Sequence, residues 1–283
     1  MTHPKTIVVT GGAGFIGSNL CKRLHAEGNT VISLDNYFTG TRENHVQGVD
    51  YREGHTKDIE NLIPETPDLV YHLGEYSRVE RSLLEPALVW DSNSVGTFAV
   101  LEFWRKKKMK LVYAGSSTKF ADGGLGRDQS PYAWTKAANT ELVRNYADWF
   151  TLPYAITYFY NVYGPGERAG QYGTVIEIFK QKNEAGESLT VVAPGTQQRI
   201  FTHVEDIVDG LLLVGEVGEG DEFGLGADTS YSIMEVAELF RSPIEMIPER
   251  RGNRMNAKFD SSKSKAIGWV AKRDLKEYIE STL

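Results

Sequence analysis

The chain has 283 residues, enough for one large core or for two unequal lobes, and its 41% hydrophobic and 24% charged residues are typical of a soluble globular protein. A formal net charge of −7 argues against a nucleic-acid partner, because a nucleic-acid binder normally carries a basic face. The single cysteine, Cys21, excludes an intramolecular disulfide and cannot build a structural zinc site, so we expect no metal.

The first 160 residues alternate apolar strands with helices. A β-branched run at 6–10 leads into the turn Gly11-Gly12-Ala13-Gly14 and then into an apolar-periodic stretch from Phe15 to about Glu27, which predicts strand, tight turn and helix. Similar patterns predict further strands and two long helices, at 30–34, 69–73, 89–107 (helix), 111–114, 131–150 (helix) and 154–159. This alternation predicts an α/β fold with a doubly wound parallel sheet, the Rossmann architecture.

The pattern changes after Asn161, where segments become shorter and glycine, proline and charge are more interleaved. We therefore predict that residues 1–164 form a Rossmann domain that carries the catalytic residues. Residues 165–283 are expected to form a smaller α/β lobe that binds substrate. This division does not require a single boundary, because segments after residue 164 can return to the Rossmann domain. The lobe is expected at the carboxyl edge of the sheet, where ligands bind in doubly wound folds.

Gly11, Gly14 and Gly17 lie between the first strand and the first helix. The first glycine permits a tight turn, the second lets the backbone approach a pyrophosphate, and the third lets helix and strand pack closely. The N-terminus of the helix then offers unpaired N–H groups to phosphates. Asp35 ends the next strand, where a carboxylate binds the adenosine ribose and repels a 2′-phosphate, so this pattern predicts NAD rather than NADP. The alternative is that Asp35 is a turn residue before Asn36.

Tyr132 and Lys136 are spaced four residues apart in a predicted helix and therefore share one helix face. A nearby ammonium stabilises a phenolate, which allows Tyr132 to act as a base near neutral pH. Lys136 can also hold the nicotinamide ribose. Ser116 follows the strand 111–114 at the carboxyl edge of the sheet, where it can share a hydrogen bond with a substrate hydroxyl. An exposed helix pair is the other interpretation of this spacing.

In this order, the motifs resemble the extended short-chain dehydrogenases/reductases, in the nucleotide-sugar epimerase and dehydratase branch that includes the UDP-galactose/UDP-glucose 4-epimerases. The resemblance extends over nearly the whole chain. The segments that carry it include TGGAGFIG (10–17), YHLGEYSRVERS (71–82), NSVGT (93–97), AGSST (114–118), SPYAWTK (130–136), YNVYGPGE (160–167), QQRIFTHVEDIV (197–208), ERRGN (249–253) and FDSSKSKAIGW (259–269).

The resemblance implies a role for individual residues. Ser116, Tyr132 and Lys136 would form the catalytic triad. The residues implied for cofactor binding, besides Tyr132, Lys136 and the three glycines, are Phe15, Ile16, Asp35, Asn36, Asp58 and Ile59 beside the adenine, Leu73 and Gly74 under the cofactor, and Asn93 in the supporting network. The residues implied for the sugar nucleotide are Glu75, Ser117, Thr118, Asn161, Arg199, Arg250 and Ala257, with the two arginines on the diphosphate.

Three reactions share this scaffold, and each begins when Tyr132 removes the C4 hydroxyl proton while the C4 hydride passes to NAD, which gives a 4-keto sugar. A 4,6-dehydratase then needs an acid and a base, which the family usually places as Asp-Glu directly after the triad's Ser or Thr. Ser117 and Thr118 stand at those positions here and cannot do carboxylate chemistry, which favours a 4-epimerase. A decarboxylase, a 4-reductase and an unusual dehydratase stay open, as does an inactive NAD-binding sensor or scaffold.

Several positions depart from the family pattern. Glu75 replaces a small or neutral residue, and we favour an ordinary ion pair with Arg78 or Arg81 over a hydrogen bond to sugar hydroxyls. Lys119 and the glycine-rich loop 121–126 predict a remodelled wall of the active site. The small side chain of Ala257, at a gatekeeper position, leaves room for a 2-acetamido group.

The expected partner is a nucleotide-sugar substrate, with UDP favoured. We expect neither nucleic acid nor a membrane as partner, because the chain has no signal-peptide pattern and no apolar run that could span a bilayer, and we expect a cytoplasmic protein. The resemblance implies a homodimer formed through the helices 93–107 and 134–150. Their apolar residues Phe103, Trp104 and Trp149 belong either to that interface or to the core.

Overall fold

The computed structural model describes residues 3–120, 126–168, 170, 172–248 and 259–283. Its strands are β1 Thr6–Thr10, β2 Thr30–Asp35, β3 Asp50–Glu53, β4 Leu69–His72, β5 Lys110–Ser116, β6 Tyr154–Phe159, β7 Val162–Tyr163, β8 Leu189–Val192, β9 Gln198–Ile200, β10 Thr202–His203, β11 Gly220–Leu225, β12 Ser230–Ser232 and β13 Ile244–Ile247.

The helices frame these strands on both sides. They are α1 Phe15–Ala26, α2 Ile59–Leu62, α3 Val79–Ser82, α4 Pro86–Val89, α5 Gly96–Lys107, α6 Pro131–Phe150, α7 Val175–Glu184, α8 Val204–Val217, α9 Ile233–Leu239, α10 Ser262–Ala266 and α11 Leu275–Thr282. None of the helices within these described ranges has the length and apolarity needed to cross a membrane.

Seven of the strands form one sheet in the order β11-β6-β5-β4-β1-β2-β3. All neighbouring pairs in it are parallel, and in the centre Val8 of β1 stands opposite Ile32 of β2 and Val70 of β4. The order reverses at β1, with β2 on one side and β4 on the other. This confirms the predicted doubly wound parallel sheet.

Each face of this sheet packs against its own layer of helices. Successive side chains of a strand point to opposite faces, so that Val8 joins the core beneath α5 and α6 whereas Ile7 and Val9 join the core beneath α1 and α8. All three side chains are buried. Full burial of a side chain of this size stabilises the fold by about 1.5–3 kcal/mol, which explains the near-continuous apolar runs in the sequence.

A smaller lobe has its own core, formed mainly by α7, α9, α11 and the strand β8, with Phe201 after β9. Its strands pair only two by two, as β13-β8, β12-β9 and β10-β7. The chain does cross between the two units, because α8 packs against α1 and β11 completes the large sheet beside β6. The predicted boundary after residue 164 stays a prediction, and a single cut in the chain does not separate the cores.

The long helix predicted over 89–107 consists of three joined segments. A π-helical turn, Trp90–Val95, links α4 to α5 and carries the buried residues Ser92 and Asn93. Such a turn inserts extra backbone into a helix and is frequent at functional sites. It directs Asn93 towards the backbone of Tyr76 in the loop after β4.

Candidate active site

A cleft of about 570 Å³ follows the carboxyl ends of β1, β2, β4 and β5. Parallel strands end on the same edge of a sheet, so loops that are far apart in sequence meet there. The smaller lobe supplies the opposite wall. The lining residues from the sheet side include Gly11, Gly14, Phe15, Ile16, Gly17, Asp35, Asn36, Leu73, Gly74, Ser116, Ser117, Thr118, Tyr132 and Lys136.

The glycine turn between β1 and α1 has no room for side chains. Gly11 has a φ of +75°, and a Cβ on Gly17 would lie 2.0 Å from the carbonyl oxygen of Gly11. Gly14 occupies the N-cap position of α1 without a capping side chain. The first N–H groups of the helix therefore face the cleft together with the positive end of the helix dipole, which suits phosphate oxygens.

Asp35 ends β2 as a buried carboxylate at the cleft. Its Oδ2 accepts a hydrogen bond from the Ala13 N–H at 2.9 Å, and its Oδ1 accepts one from the Tyr37 N–H at 2.8 Å. Burial raises the pKa of Asp35, and these two backbone donors oppose the rise. The carboxylate is thus fixed in place while retaining lone pairs for ribose hydroxyls.

The residues implied for the adenine are not at the cleft. Ile59 lies in the core, and Asp58 is exposed to solvent outside the cleft lining. Gly54, His55 and Thr56 line the cleft instead, because they follow β3 directly at the carboxyl edge of the sheet. The sequence of β3 is short and polar and does not have the apolar pattern that marks a strand, so nothing in the sequence singled out the residues after it.

The loop after β4 meets the glycine turn. The N–H groups of Leu73 and Gly74 donate to Thr10 Oγ1 at 3.1 and 2.9 Å, and a Cβ on Gly11 would lie 2.9 Å from the Gly74 Cα. This close backbone contact forms the floor of the cleft between β1 and β4. Leu73 and Gly74 therefore lie where the resemblance implied.

Ser116, Tyr132 and Lys136 come together at the end of β5. The Tyr132 hydroxyl donates to Ser116 Oγ at 3.2 Å, and Ser116 Oγ is 2.8 Å from Thr118 Oγ1. Helix α6 begins at Pro131 because the side chain of Ser130 caps it, accepting from the Ala133 N–H at 3.1 Å. The cap places Tyr132 and Lys136 in the first two turns, on the face that meets the cleft.

Lys136 is buried and bonded to two acceptors. Its ammonium donates to the carboxylate of Glu75 and to the carbonyl oxygen of Ala114. The predicted pairing of Glu75 with Arg78 or Arg81 is wrong. Arg78 donates to the Tyr172 carbonyl oxygen at 2.7 Å and Arg81 pairs with Glu85 at 2.5 Å, while Glu75 points beneath the floor towards α5 and α6.

Asn93 supports the cleft wall from behind. Its Oδ1 accepts from the Tyr76 N–H at 2.7 Å, and its Nδ2 donates to Thr135 Oγ1 at 3.1 Å and to the Tyr76 carbonyl oxygen at 3.2 Å. It is fully buried and not part of the cleft lining. Asn93 thus ties the loop after β4 to α6, and its role in supporting a bound cofactor stays a prediction.

The smaller lobe brings a set of polar side chains to the opposite wall. Asn161 has a φ of +33°, and its Nδ2 donates to the Ile200 carbonyl oxygen at 2.8 Å. Arg199 on β9 lines the cleft, as predicted. Two further cleft arginines, Arg78 and Arg168, were not predicted as site residues. Arg168 reaches across the cleft to donate to the Thr39 carbonyl oxygen at 2.6 Å.

Three of the sequence predictions cannot be placed. Arg250 and Ala257 lie outside the described residues, as does most of the loop 121–126. The side chain of Lys119 is likewise outside them. The predictions made for these positions remain predictions.

The chain is similar to known proteins in both sequence and fold. The family described as NAD dependent epimerase/dehydratase matches residues 7–226, from β1 into the loop after β11. The chain belongs to this family. NAD is therefore its cofactor. The glycine turn, the buried Asp35 and the Ser116/Tyr132/Lys136 group all line the one cleft described above.

Named relatives in the family differ in the reaction they are named for. A candidate UDP-glucose 4-epimerase of Methanocaldococcus jannaschii is 30% identical over 295 residues, covering 97% of this chain and 96% of the relative. UDP-glucuronic acid decarboxylase 1 of Danio rerio is 26% identical over 302 residues, covering 99% of this chain and 72% of the relative. The relatives thus share one class of enzyme but are named for different reactions.

A solved structure supports the same fold. The UDP-glucose 4-epimerase of Thermotoga maritima, solved with UDP-glucose, superposes with a TM-score of 0.91 at 26% identity, over 98% of this chain and 97% of that one. The fold is therefore shared with this epimerase over nearly the whole of both chains.

The residues present fit NAD. The glycine turn is closed to any Cβ, the start of α1 has unpaired N–H groups, and a fixed carboxylate stands at the end of β2. His55 and Thr56 line the cleft beyond Asp35. These residues would hold the cofactor, which would supply reversible hydride transfer beside Tyr132 and Lys136 in the same cleft.

Proposed function

We propose that this protein is an NAD-dependent nucleotide-sugar 4-epimerase that acts on a UDP-hexose or a UDP-N-acetylhexosamine. The observation that carries the proposal is the contact of 3.2 Å between the Tyr132 hydroxyl and Ser116 Oγ at the cleft, next to two hydroxyl side chains, Ser117 and Thr118, that replace the acid–base pair of a dehydratase. The site can move one proton at one sugar hydroxyl, and the hydroxyls of Ser117 and Thr118 cannot supply the carboxylate acid and base of an elimination.

Tyr132 removes the proton of the sugar C4 hydroxyl and later returns it. Ser116 Oγ holds both the phenol and the sugar hydroxyl, which fixes the line along which the proton moves. NAD, when bound, supplies the reversible hydride acceptor that oxidation at C4 requires. The cleft of about 570 Å³ leaves the resulting 4-keto sugar space to turn its other face before the hydride returns to C4 and the proton to the C4 oxygen.

The proposed nucleotide is a uridine diphosphate. Arg199 lines the lobe wall, and a guanidinium forms paired hydrogen bonds with phosphate oxygens even in an acidic protein. The relatives reported above are named for UDP-sugars, which supports the same choice. Arg250 is proposed as the second diphosphate ligand, and Ala257 as the residue that leaves room for an acetamido group.

A decarboxylase is the second candidate, and one cleft residue favours it. Arg78 lines the cleft close enough to Tyr132 to interact with it electrostatically. A guanidinium beside the catalytic tyrosine is suited to hold a substrate carboxylate. Relatives named as UDP-glucuronic acid decarboxylases match the chain at similar identity.

One experiment separates the candidates. The purified protein is incubated, with and without added NAD⁺, with UDP-glucose, UDP-GlcNAc, their galacto epimers and the matching uronates, and products are followed by NMR. A signal from the inverted C4 centre without net NADH is expected and names the substrate. A 4-keto or unsaturated sugar, or a pentose formed from a uronate with loss of CO₂, would reject the epimerase.

We also propose that the protein is a homodimer. Phe103 and Trp104 are fully buried and belong to the core, but Trp149 is 62% exposed. Further exposed rings lie on the same helical layer, where Trp90 stacks on Trp134 at 5.9 Å between ring centroids. An apolar patch of this kind marks an interaction surface, and a second copy placed antiparallel would cover it with its own helices.

The dimer is tested by analytical ultracentrifugation. Trp149→Glu should convert a dimeric species to a monomer without unfolding it, because the ring is outside the core. Trp269→Phe, a change in the buried core, is the control and should leave the mass unchanged. A wild-type monomer at micromolar concentration would reject the proposal. A cytoplasmic location stays a prediction.

A further inference from the structure

A buried carboxylate lies directly beneath the catalytic lysine. The Glu75 side chain is 3% exposed and the Lys136 side chain 5% exposed, and the two form an ion pair. Three more groups donate to Glu75 Oε1: the Thr97 hydroxyl at 2.9 Å, the Tyr113 hydroxyl at 3.1 Å and Asn139 Nδ2 at 2.9 Å. Four donors from three helices and strands thus converge on one carboxylate.

The groups around Glu75 leave Lys136 as its charged partner. Burial raises the pKa of Glu75, but the ammonium of Lys136 outweighs it and holds the pKa below its usual range. His72 faces the pair from β4, and burial lowers its pKa to about 4, so it is neutral near pH 7. Tyr113 faces it from β5, and burial raises its pKa well above the usual value. Arg78 and Tyr132 lie on the cleft side of the pair.

The ion pair fixes the position of the Lys136 ammonium and limits how many of its N–H groups can donate to other groups. An ammonium has three N–H donors, and Glu75 and the Ala114 carbonyl oxygen take two of them. The ring of Tyr113 covers the ammonium from another side, with its centroid 4.5 Å from Nζ. One donor is thus left for the cleft, where the triad acts.

An unpaired ammonium stabilises the phenolate form of Tyr132 more than an ion pair does. A lone positive charge favours the phenolate, whereas a pair with a carboxylate has no net charge and favours it less. Ionisation of Tyr132 beside the pair also leaves two negative charges near one positive charge in a poorly solvated site. The protonation of Tyr132 therefore depends on Glu75 even though no hydrogen bond joins them.

We propose that Glu75 is a positioning residue of the catalytic triad, which holds the Lys136 ammonium against Ala114 and offsets its charge so that Tyr132 gives up its proton at a higher pH than beside an unpaired lysine. The proposal rests on the proposed function, in which Tyr132 is the base. Glu75 lines the cleft, but its side chain is 3% exposed and acts through Lys136.

The test follows the ionisation of Tyr132 by its tyrosinate absorbance during a pH titration of the protein with its cofactor. The signal of Tyr132 is the difference between each protein and the same protein carrying Tyr132→Phe. In Glu75→Gln we expect the midpoint to move to lower pH by about one unit, because the ammonium is no longer offset. The acid limb of kcat/KM against pH should move in the same direction.

Two matched controls remove single hydrogen bonds and keep the charge. Thr97→Val and Tyr113→Phe each delete one donor to Glu75 Oε1, and the midpoint should stay in place in both. Glu75→Asp keeps the charge on a shorter side chain that no longer reaches Lys136 in the same geometry. In this variant the midpoint should stay near that of the wild type while kcat falls about 10-fold, because the ammonium is misplaced.

The outcomes are decisive for Glu75. An unchanged or higher midpoint in Glu75→Gln, or an equal shift in Thr97→Val, overturns the proposal. If Glu75→Gln does not fold, Glu75→Asp decides alone, and full turnover in that variant overturns the positioning role. The absorbance titration needs no nucleotide sugar, so a failure of the proposed function, seen as no turnover by the wild type, is distinguished from a failure of this inference.

Discussion

The two walls of the cleft are built in different ways. The sheet wall consists of loops that leave adjacent strands of one parallel sheet, and its polar groups are bonded to each other and to the backbone, as Thr10, Asp35 and Asn93 show. The lobe wall consists of short strands paired two by two, and its residues Asn161 and Arg199 each hydrogen-bond to a nearby backbone carbonyl oxygen.

Under the proposed function, this difference separates two tasks. The sheet wall would fix the cofactor and the reacting hydroxyl, where an error of 1 Å is costly to the rate. The lobe wall would meet the variable part of the substrate, with Arg199 on the diphosphate. Changes in the sheet wall should therefore affect chemistry or cofactor binding, and changes in the lobe wall should affect substrate affinity.

The largest expected effect is at Tyr132. Tyr132→Phe removes the proton acceptor but keeps the ring, so kcat should fall about 10²–10⁴-fold while NAD and nucleotide-sugar affinities stay within about 2-fold. Turnover by NMR and binding by calorimetry check this. The control is Tyr154→Phe at the start of β6, away from the carboxyl edge of the sheet, which should leave turnover and binding unchanged. Full activity of Tyr132→Phe would mean that the triad has no catalytic role.

The next largest effect is expected on the pH dependence of protein stability, at Glu167 in the loop that follows β7. Glu167 accepts hydrogen bonds from the Gly164 N–H at 3.2 Å and from the Thr174 hydroxyl, and burial raises its pKa to about 7. Because the folded protein holds this proton more tightly than the unfolded chain, the stabilisation is complete below about pH 4.5 and is lost as the pH rises through 7.

Glu167→Gln should therefore be more stable than the wild type above pH 7, by up to about 3 kcal/mol, with the difference vanishing near pH 4. Urea denaturation at a series of pH values measures it. Glu187→Gln, at an exposed position, is the matched control and should show no such pH dependence. A constant difference between Glu167→Gln and the wild type across this range would contradict the burial argument.

Asp35 tests the sheet wall at the cofactor. Asp35→Asn removes the charge and places an amide opposite the N–H groups of Ala13 and Tyr37, so the dissociation constant for NAD should rise about 10- to 100-fold. The preference for NAD over NADP should shrink, because the repulsion of a 2′-phosphate is lost. Asp50→Asn on β3 is the control. Unchanged NAD affinity would show that Asp35 serves only the turn.

The smallest expected effect lies in the lobe wall. Arg199→Met should raise KM for the nucleotide sugar by about 10-fold, the loss of one charge-assisted contact, and leave kcat and NAD affinity nearly unchanged. Steady-state kinetics with the substrate identified by NMR measures both. Arg144→Met, an exposed position on α6, should change neither. A loss of kcat in Arg199→Met would break the division between the two walls.

The parts of the site that could be predicted share one property. Gly11, Asp35, Ser116 and Tyr132 each stand at the end of a strand or the start of a helix, where local sequence marks both the element and the position. Their meeting at one edge follows from the parallel sheet alone. The contact of Asp58 and Ile59 with the adenine stays a prediction. His55 and Thr56, which line the cleft, carried no signal in the sequence because the strand before them, β3, is short and polar.

By itself, the sequence determined the class of sheet, the glycine turn, the acidic strand end and the order of Ser116, Tyr132 and Lys136, because each depends on spacing along a strand or a helix. Only the tertiary structure decided the partner of Glu75. Arg78 and Arg81 are nearer in sequence, but the turn after β4 sends Glu75 beneath the floor, where Lys136 arrives from α6. A buried charge pairs with the opposite charge that shares its pocket, and which charge that is depends on the packing of elements distant in the chain.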